Sequence, residues 1–314
     1  GDRFCGNCGA IMADVHQVAI PRRAALPDGP CADCGNQTFV DGYCTACGSR
    51  RAEPDRDEAQ VGRVALITDR GLDHARNEDA AAAGIAGNFV AVAVCDGVSS
   101  STDGQKAAAA AAAAGVDAML VALAGSRSPR AAVFSGLARA AQAAQDTDTG
   151  SDLELAPSCT YTAAVVVPNS AGAWDITVGN VGDSRAYWLP APPGIPQQLT
   201  VDDSVAQELI TAGFSVGSDA VQRGAHTLTR WLGADNDDTP WSESSVHTIT
   251  ATGPGTLLLC SDGLWNYLPD AADMIRFVTG GDPEAAARAL TDYALGAGGF
   301  DNITVVVIPI GGNP

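Results

Sequence analysis

A chain of 314 residues, 46% hydrophobic and 18% charged, can bury one large core and a small one, and is too apolar for wholesale disorder. Its formal net charge of -19 argues against a nucleic-acid footprint and suits a site that concentrates cations. The longest weakly polar stretch, residues 107–125, is mostly alanine, carries Asp117 and follows Lys106, so it reads as a soluble helix, not a membrane span, and no signal peptide or lipidation pattern accompanies it.

Residues 1–50 hold three Cys-x-x-Cys pairs, Cys5 with Cys8, Cys31 with Cys34 and Cys44 with Cys47, among nine cysteines in all. That usage predicts metal thiolates in a reducing cytoplasm more than disulfides. The second and third pairs lie in CADCGNQTFVDGYCTACG, each followed by glycine, as a turn that aims backbone amides at sulfur requires. The stretch resembles a zinc ribbon. With little more than Phe39, Val40 and Tyr43 between the pairs, its fold would depend on zinc, whose binding supplies roughly 10–16 kcal/mol in comparable peptides. Four cysteines close the coordination sphere, so a structural or protein-docking role is expected, not a catalytic one. Cys5 and Cys8 read as the second half of another ribbon whose first pair would precede Gly1, and a zinc-bound and an empty half-site are both open. Acidic side chains outnumber basic ones over residues 1–60, which ranks DNA binding last. Residues 51–60, charged and containing Pro54, read as a linker, and the large domain is expected over 61–310.

In that domain Val64–Thr68 predicts a short strand, and the loop GLDHARNEDA follows it. Asn88 to Ser101, NFVAVAVCDGVSSS, opens with an apolar run that reads as a strand buried on both faces and delivers Asp96 and Gly97 at its end. Gln105–Ala124 and Pro129–Gln145 predict helices, the second capped by Ser128. Ser158–Val167 and Trp174–Val178 read as paired strands, Gly179–Trp188 as a tight turn and a strand, and Val205–Ala212 as a short helix in a loop-like region. Gly255–Gly263 ends a second buried run on Asp262, and Phe300–Ile308 starts a third directly after Asp301. Between them Asp270–Val278 and Pro283–Leu295 predict the last helices, with Gly296 just beyond the end. Strands in adjacent pairs, with helices grouped after Asp96 and Asp262, predict an α+β fold of layered sheets flanked by helices.

Several carboxylates thus stand at the ends of apolar strands, with Asn77-Glu78-Asp79 upstream. If they converge, charges about 4 Å apart repel by roughly 4 kcal/mol per pair at an effective dielectric near 20, so a cation is the expected remedy. Oxygen donors without histidine favour magnesium or manganese over zinc.

RNEDA, VCDGVSS, VGDSRAYW, LCSDGLW and DNITVVV, in this order over about 250 residues, resemble the metal-dependent serine/threonine phosphatases of the protein phosphatase 2C family. The resemblance implies a four-layer α-β-β-α sandwich with two central mixed, mostly antiparallel sheets, and a two-metal site at one end. It implies that Asp96 bridges two Mn2+ or Mg2+ ions with the Gly97 carbonyl on one of them, that Asp262 and Asp301 ligate the other, and that Glu78 and Asp79 ligate or hydrogen-bond metal waters. Asp183 matches a position that in some members holds a third, looser metal with the Asp262 equivalent. Two ions sharing Asp96 would make a water nucleophilic near neutral pH and neutralise the phosphoryl oxygens.

Two departures stand out. Where the family often has an arginine gripping the substrate phosphate, this chain has His74, with Arg76 two residues on; Arg76 has the permanent charge and forked donors for the task. Where eukaryotic members place a candidate general acid after the DG pair, this chain has Val98, followed by three serines. His16, His226 and His247 read as ordinary surface or loop residues, Cys95, Cys159 and Cys260 as core, and Trp265 as support beneath the metal loop. Three readings follow: a phosphatase for phosphoserine and phosphothreonine that opposes a cytoplasmic-facing kinase in bacterial signalling, a regulatory pseudo-phosphatase that binds phosphoprotein with little turnover, or a docking adaptor built on the ribbon.

Overall fold

The computed structural model describes residues 15–22, 30–31, 34–40, 43–48, 55–148, 150, 155–236 and 239–311. Cys5, Cys8 and residues 51–54 of the expected linker lie outside them. In chain order, β1 (Val15–Ile20) is followed by the two-residue strands β2 (Phe39–Val40) and β3 (Tyr43–Cys44). The large domain runs through β4 (Arg56–Val61), β5 (Val64–Asp69), β6 (Ala80–Ala86) and β7 (Phe89–Cys95) to α1 (Gly104–Ala124) and α2 (Pro129–Gln145). Then β8 (Ser158–Cys159), β9 (Tyr161–Pro168), β10 (Trp174–Val181), β11 (Arg185–Pro190) and β12 (Gln197–Gln198) lead to the short helices α3 (Val205–Thr211) and α4 (Asp219–Arg223). After β13 (Leu232–Gly233), β14 (Val246–Ala251) and β15 (Gly255–Cys260) come α5 (Asp262–Trp265), α6 (Ala271–Val278), α7 (Pro283–Ala297) and β16 (Ile303–Ile310).

Two six-stranded sheets carry the domain, ordered β1-β6-β7-β9-β10-β14 and β12-β11-β15-β16-β5-β4. Among the described residues every strand pairing is antiparallel, the limit of the mostly antiparallel expectation. The period of two along β7 sends Val90, Val92 and Val94 into the core between the sheets, with Val166, Leu257, Leu259 and Val306. Ala91, Ala93 and Cys95 point the other way, onto Ala107, Ala108, Ala111 and Ala112 of α1, and α2 packs in the same layer. On the far side Val305 and Val307 of β16 meet Leu290 and Ala294 of α7 and Met274 of α6. The result is the four-layer α-β-β-α arrangement. Alone among the described helices, α1 is long and apolar enough to cross a bilayer, but its small side chains are what let it lie close on the first sheet. A Cβ at Gly115 would come within 2.1 Å of the Tyr161 hydroxyl oxygen.

Three local expectations differ from the structure. Residues 51–60 are not all linker, because Arg56–Val61 pairs with β5 as the outer strand of the second sheet. That edge needs backbone pairing but no apolar side chains, and Arg56, Asp57 and Glu58 instead pair with Asp69, Arg22 and Arg288. The N-terminal region is not ribbon alone either: Val15–Ile20 adds an edge strand to the first sheet, with Ile20 fully buried against the central core. Helix α7 runs through Gly296 and is closed by Gly298.

Antiparallel register gathers the acidic residues. Ala80 pairs with Cys95, Ile303 with Asp69, and Arg185 with Cys260. Residues just before β6, β11 and β16, and just after β7 and β15, therefore share one end of the sandwich. At that end the backbones touch: a Cβ at Gly263 would lie 2.0 Å from the Asn302 carbonyl oxygen. Gly263→Ala must displace one chain from the other, and urea unfolding should show it destabilised by about 1–3 kcal/mol; unchanged stability would contradict this packing.

Candidate metal centre

Hydrogen bonds between the motifs brace the acidic residues. The Asp96 N–H donates to Thr160 Oγ1 at 2.9 Å, and its carbonyl accepts from the Thr160 N–H at 2.8 Å. The Gly97 N–H donates to the Glu78 carbonyl at 3.2 Å. Asn302 ties the first and last motifs: its amide donates to the Arg70 and Arg76 carbonyls at 2.7 and 3.1 Å, and its Oδ1 accepts from the Glu78 N–H at 2.7 Å. The Asn302 N–H donates to Asp301 Oδ1 at 2.8 Å. Asp79 Oδ2 accepts from Ser261 Oγ at 2.7 Å, and the Thr304 N–H donates to that hydroxyl at 3.0 Å. Sequence reading missed Thr160, Asn302 and Ser261, since nothing local separates a bracing polar residue from a turn former.

The structure brings Asp79, Asp96, Asp183, Asp262 and Asp301 close enough to perturb one another. Burial pushes Asp96 well above the usual carboxylate range, and the charges of Asp79, Asp262, Asp183 and Asp301 add to it. Burial likewise raises Asp79 to about 7, against the hydrogen bonds from Ser261 and Thr304, with Asp301 and Asp262 pushing further. Asp183 rises to about 8 through burial and then the Asp262 charge, and Asp301 rises for the same two reasons. Desolvated like charges at this density are unstable without a counter-ion.

Basic groups reach only the rim. Arg76 Nε and Nη2 both approach Glu78 Oε1, at 2.7 and 2.6 Å. His74 Nε2 lies 3.1 Å from Asp301 Oδ1, so it pairs with an acid of the cluster. His226, expected to be an ordinary loop residue, is instead part of the site: its Nδ1 is 3.4 Å from Asp262 Oδ2. That hydrogen bond raises its pKa against the cost of burial. Its distance in sequence from the acidic motifs hides it. Trp265 does support the loop, its Nε1–H donating to the Asp183 carbonyl at 2.9 Å. Buried oxygens remain without partners, Asp79 Oδ1 and Asp262 Oδ1. A hard divalent cation fits that donor set, acid-rich and short of buried positive charge.

A second cluster lies in the small N-terminal unit. Cys31, Cys34, Cys44 and Cys47 bring their sulfurs within 4.8 Å of one another. The closest pairs are 3.5 Å apart, Cys31 with Cys47 and Cys34 with Cys44. A tetrahedral ion with metal–sulfur bonds of about 2.3 Å spaces its ligands roughly 3.8 Å apart, so the cage has the right size. The Cys47 backbone N–H and the Asn36 amide lower the Cys44 thiol to about 6, while, against the Asn36 backbone N–H, hydrogen bonds to the neighbouring cysteines push Cys34 up to about 12, so crowding of the sulfurs favours one thiolate over several in the absence of a cation.

A family profile described as Protein phosphatase 2C matches residues 71–289. The chain is 31% identical over 159 residues to the serine/threonine phosphatase stp of Listeria innocua, covering 50% of this chain and 59% of that one. It is 28% identical over 257 residues to the serine/threonine protein phosphatase PstP of Mycobacterium tuberculosis, covering 80% of this chain and 45% of PstP. The chain thus spans less than two thirds of either curated relative. Among solved structures it resembles the PPM Ser-Thr phosphatase MsPP from Mycobacterium smegmatis in complex with cacodylate, at 28% identity and TM-score 0.57, covering 81% of this chain and all of that one. It also resembles the catalytic domain of PstP in complex with two manganese ions, at 27% identity and TM-score 0.54, covering 79% and 98% of the two chains.

Crowding of these carboxylates gives a direct test. Without divalent ions, Asp96→Asn removes a buried charge from the cluster, and the variant should melt higher than wild type in EDTA. A shift of at least ~2 °C corresponds to about 1 kcal/mol in a domain of this size. Manganese should raise the wild-type melting temperature and leave the variant nearly unmoved. A variant that melts lower in EDTA would show that the carboxylates do not strain the fold.

Proposed function

The chain belongs to the protein phosphatase 2C family, and from that premise we propose that it is a metal-dependent serine/threonine phosphatase that hydrolyses phosphoserine and phosphothreonine in proteins. The observation that carries the reading is the convergence of Asp79, Asp96, Asp262 and Asp301 on one end of the sandwich, two of them with partnerless buried oxygens.

Asp96 with the Gly97 carbonyl, Asp262 and Asp301, backed by Glu78 and Asp79, would hold two Mn2+ or Mg2+ ions. Such ions supply a water of lowered pKa and neutralise charge on the phosphoryl group. The polypeptide does the rest. Asn302 and Thr160 fix the backbones that carry the acids, so donors stand ready before substrate arrives. Arg76, its side chain 40% exposed and steadied by Glu78, offers forked donors at the rim to the phosphate oxygens. His74 holds Asp301 and has less reach toward substrate. Val98 has no proton to give, so no side chain at that position protonates the leaving alkoxide. The gathered acidic set favours turnover over the pseudo-phosphatase reading, which rests on Val98 and the displaced arginine.

We assign the four-cysteine cage to one structural zinc ion and the protein to a reducing, cytoplasmic compartment, in keeping with four sulfurs gathered at metal-ligand spacing. Bacterial relatives named serine/threonine phosphatases support a role opposing a bacterial Ser/Thr kinase. The ribbon reads best as a docking module for the phosphoprotein. Ile20, at the end of β1, pairs opposite Ala81, and Arg56, at the start of β4, pairs opposite Asp69. Both tethers of the ribbon therefore leave the sandwich at its acidic end, and the exposed cross-strand pair Val40 and Tyr43 offers an apolar tip.

Two experiments test these readings. In a manganese-dependent assay on a phosphothreonine peptide, Asp262→Ala should lose at least about 100-fold in kcat/KM; equal rates would remove the assignment. Replacing residues 23–54 by a Gly-Ser linker, with β1 and β4 kept, should leave hydrolysis of a small aryl phosphate unchanged. It should lower kcat/KM for a folded phosphoprotein about tenfold, and equal activity on both substrates would exclude docking by the ribbon.

A further inference from the structure

Resting on the metal-dependent reading above, we infer that His226 is a nitrogen ligand that completes, with Asp183 and Asp262, a cation site selective for Mn2+ and similar transition ions over Mg2+. One donor atom from each of the three residues lies within 4.8 Å of the others. Asp183 and Asp262 are buried, and Asp262 Oδ1 has no partner, so the cluster presents an unsatisfied donor beside the imidazole.

The imidazole is held in place from two sides of the fold. Its ring stacks on Trp265 with centroids 5.9 Å apart and planes 8° off parallel. Trp265 is itself fixed by its bond to the Asp183 carbonyl and by the Arg185 guanidinium, 3.7 Å from its ring centroid. The segment after α4 that carries His226 is stitched to α3 through the Val205 N–H, which donates to the Thr227 carbonyl at 2.9 Å. Two residues on, the Thr229 N–H donates to the Asp203 carbonyl at 2.9 Å. Asp203 in turn holds the turn before Asp183: Gly182 donates to its carboxylate at 3.1 Å, and its own N–H donates to the Gly182 carbonyl at 2.8 Å. One hydrogen-bonded unit thus carries both Asp183 and His226. A salt bridge to Asp262 alone needs neither that linkage nor a parallel tryptophan.

The chemistry of the donors sets the preference. Two carboxylates and an imidazole suit manganese and later first-row ions, while magnesium favours all-oxygen shells. Because the cysteine ligands of the ribbon carry no nitrogen donor, a histidine-coupled manganese signal can come only from the histidines near the acidic end, His226 or His74.

Titrating Mn2+ into the full chain, with EPR counting bound ions and electron spin echo modulation reading 14N couplings, tests the site. Wild type should show a histidine 14N signal that changes with 15N-histidine labelling, and His226→Gln should lose it. That variant should also bind one manganese ion fewer, or bind its weakest ion at least about tenfold less tightly. His74→Gln should keep the nitrogen signal. A nitrogen signal that survives His226→Gln, or manganese bound in wild type without one, overturns this inference while leaving the phosphatase reading intact. Wild type that binds no manganese at all overturns both.

Discussion

The structure depends on one electrostatic constraint, the crowding of carboxylates at a single end of two stacked sheets. Glu78, Asp79, Asp96, Asp183, Asp262 and Asp301 meet there, and the basic partners among the described residues are Arg76, His74 and His226. Two of those three are histidines, each paired with one acid of the cluster. Burial raises the cost of each charge, and Asp79, Asp96, Asp183 and Asp301 are all pushed upward by it. Everything around the acids answers that cost. Asn302, Ser261 and Thr160 give hydrogen bonds that hold the acids apart at fixed places, and the unmet oxygens leave the remainder to divalent ions.

What the sequence made legible follows from the same physics. An acid at the end of a buried apolar run is readable because the run has to be a strand and the acid has to lie at its rim, which is why Asp96, Asp262 and Asp301 could be named in advance. The helices were readable from propensity and caps, Ser128 and Asp282 both accepting from the first turns of α2 and α7. The edge strands were not. β4 is written in Arg, Asp and Glu because an outer strand needs only backbone partners, and β1 pairs with a strand of small alanines that demands little of its neighbour. His226 was invisible for a different reason: no motif surrounds it, and only tertiary hydrogen bonds through Asp203 bring it to Asp262.

The two edge strands change how the N-terminal unit is understood. A ribbon on a free linker would sample space at random and act by effective concentration alone. Here the chain on either side is committed to a sheet, β1 on one and β4 on the other, and Arg22 is clamped to Asp57 across the gap between them. Each strand has the end nearer the ribbon in sequence at the acidic end of the sandwich, so under the docking proposal a bound partner would be brought near the carboxylates.

That arrangement also bears on the missing acid at Val98. On the proposed reading, with Val98 in that place, the leaving oxygen would take its proton from a metal-bound water or another side chain, or turnover would be slow. Phosphoserine and phosphothreonine, the substrates proposed, would leave as basic alkoxides, so a slow chemical step would put weight on the lifetime of each complex. A docking module beside the site, as proposed for the ribbon, would lengthen residence without altering the acids, at the cost of weaker performance on substrates too small to reach it. On the proposed function the ribbon and Val98 would be linked features, and the ratio of rates on folded phosphoproteins and small phosphate esters would measure that link.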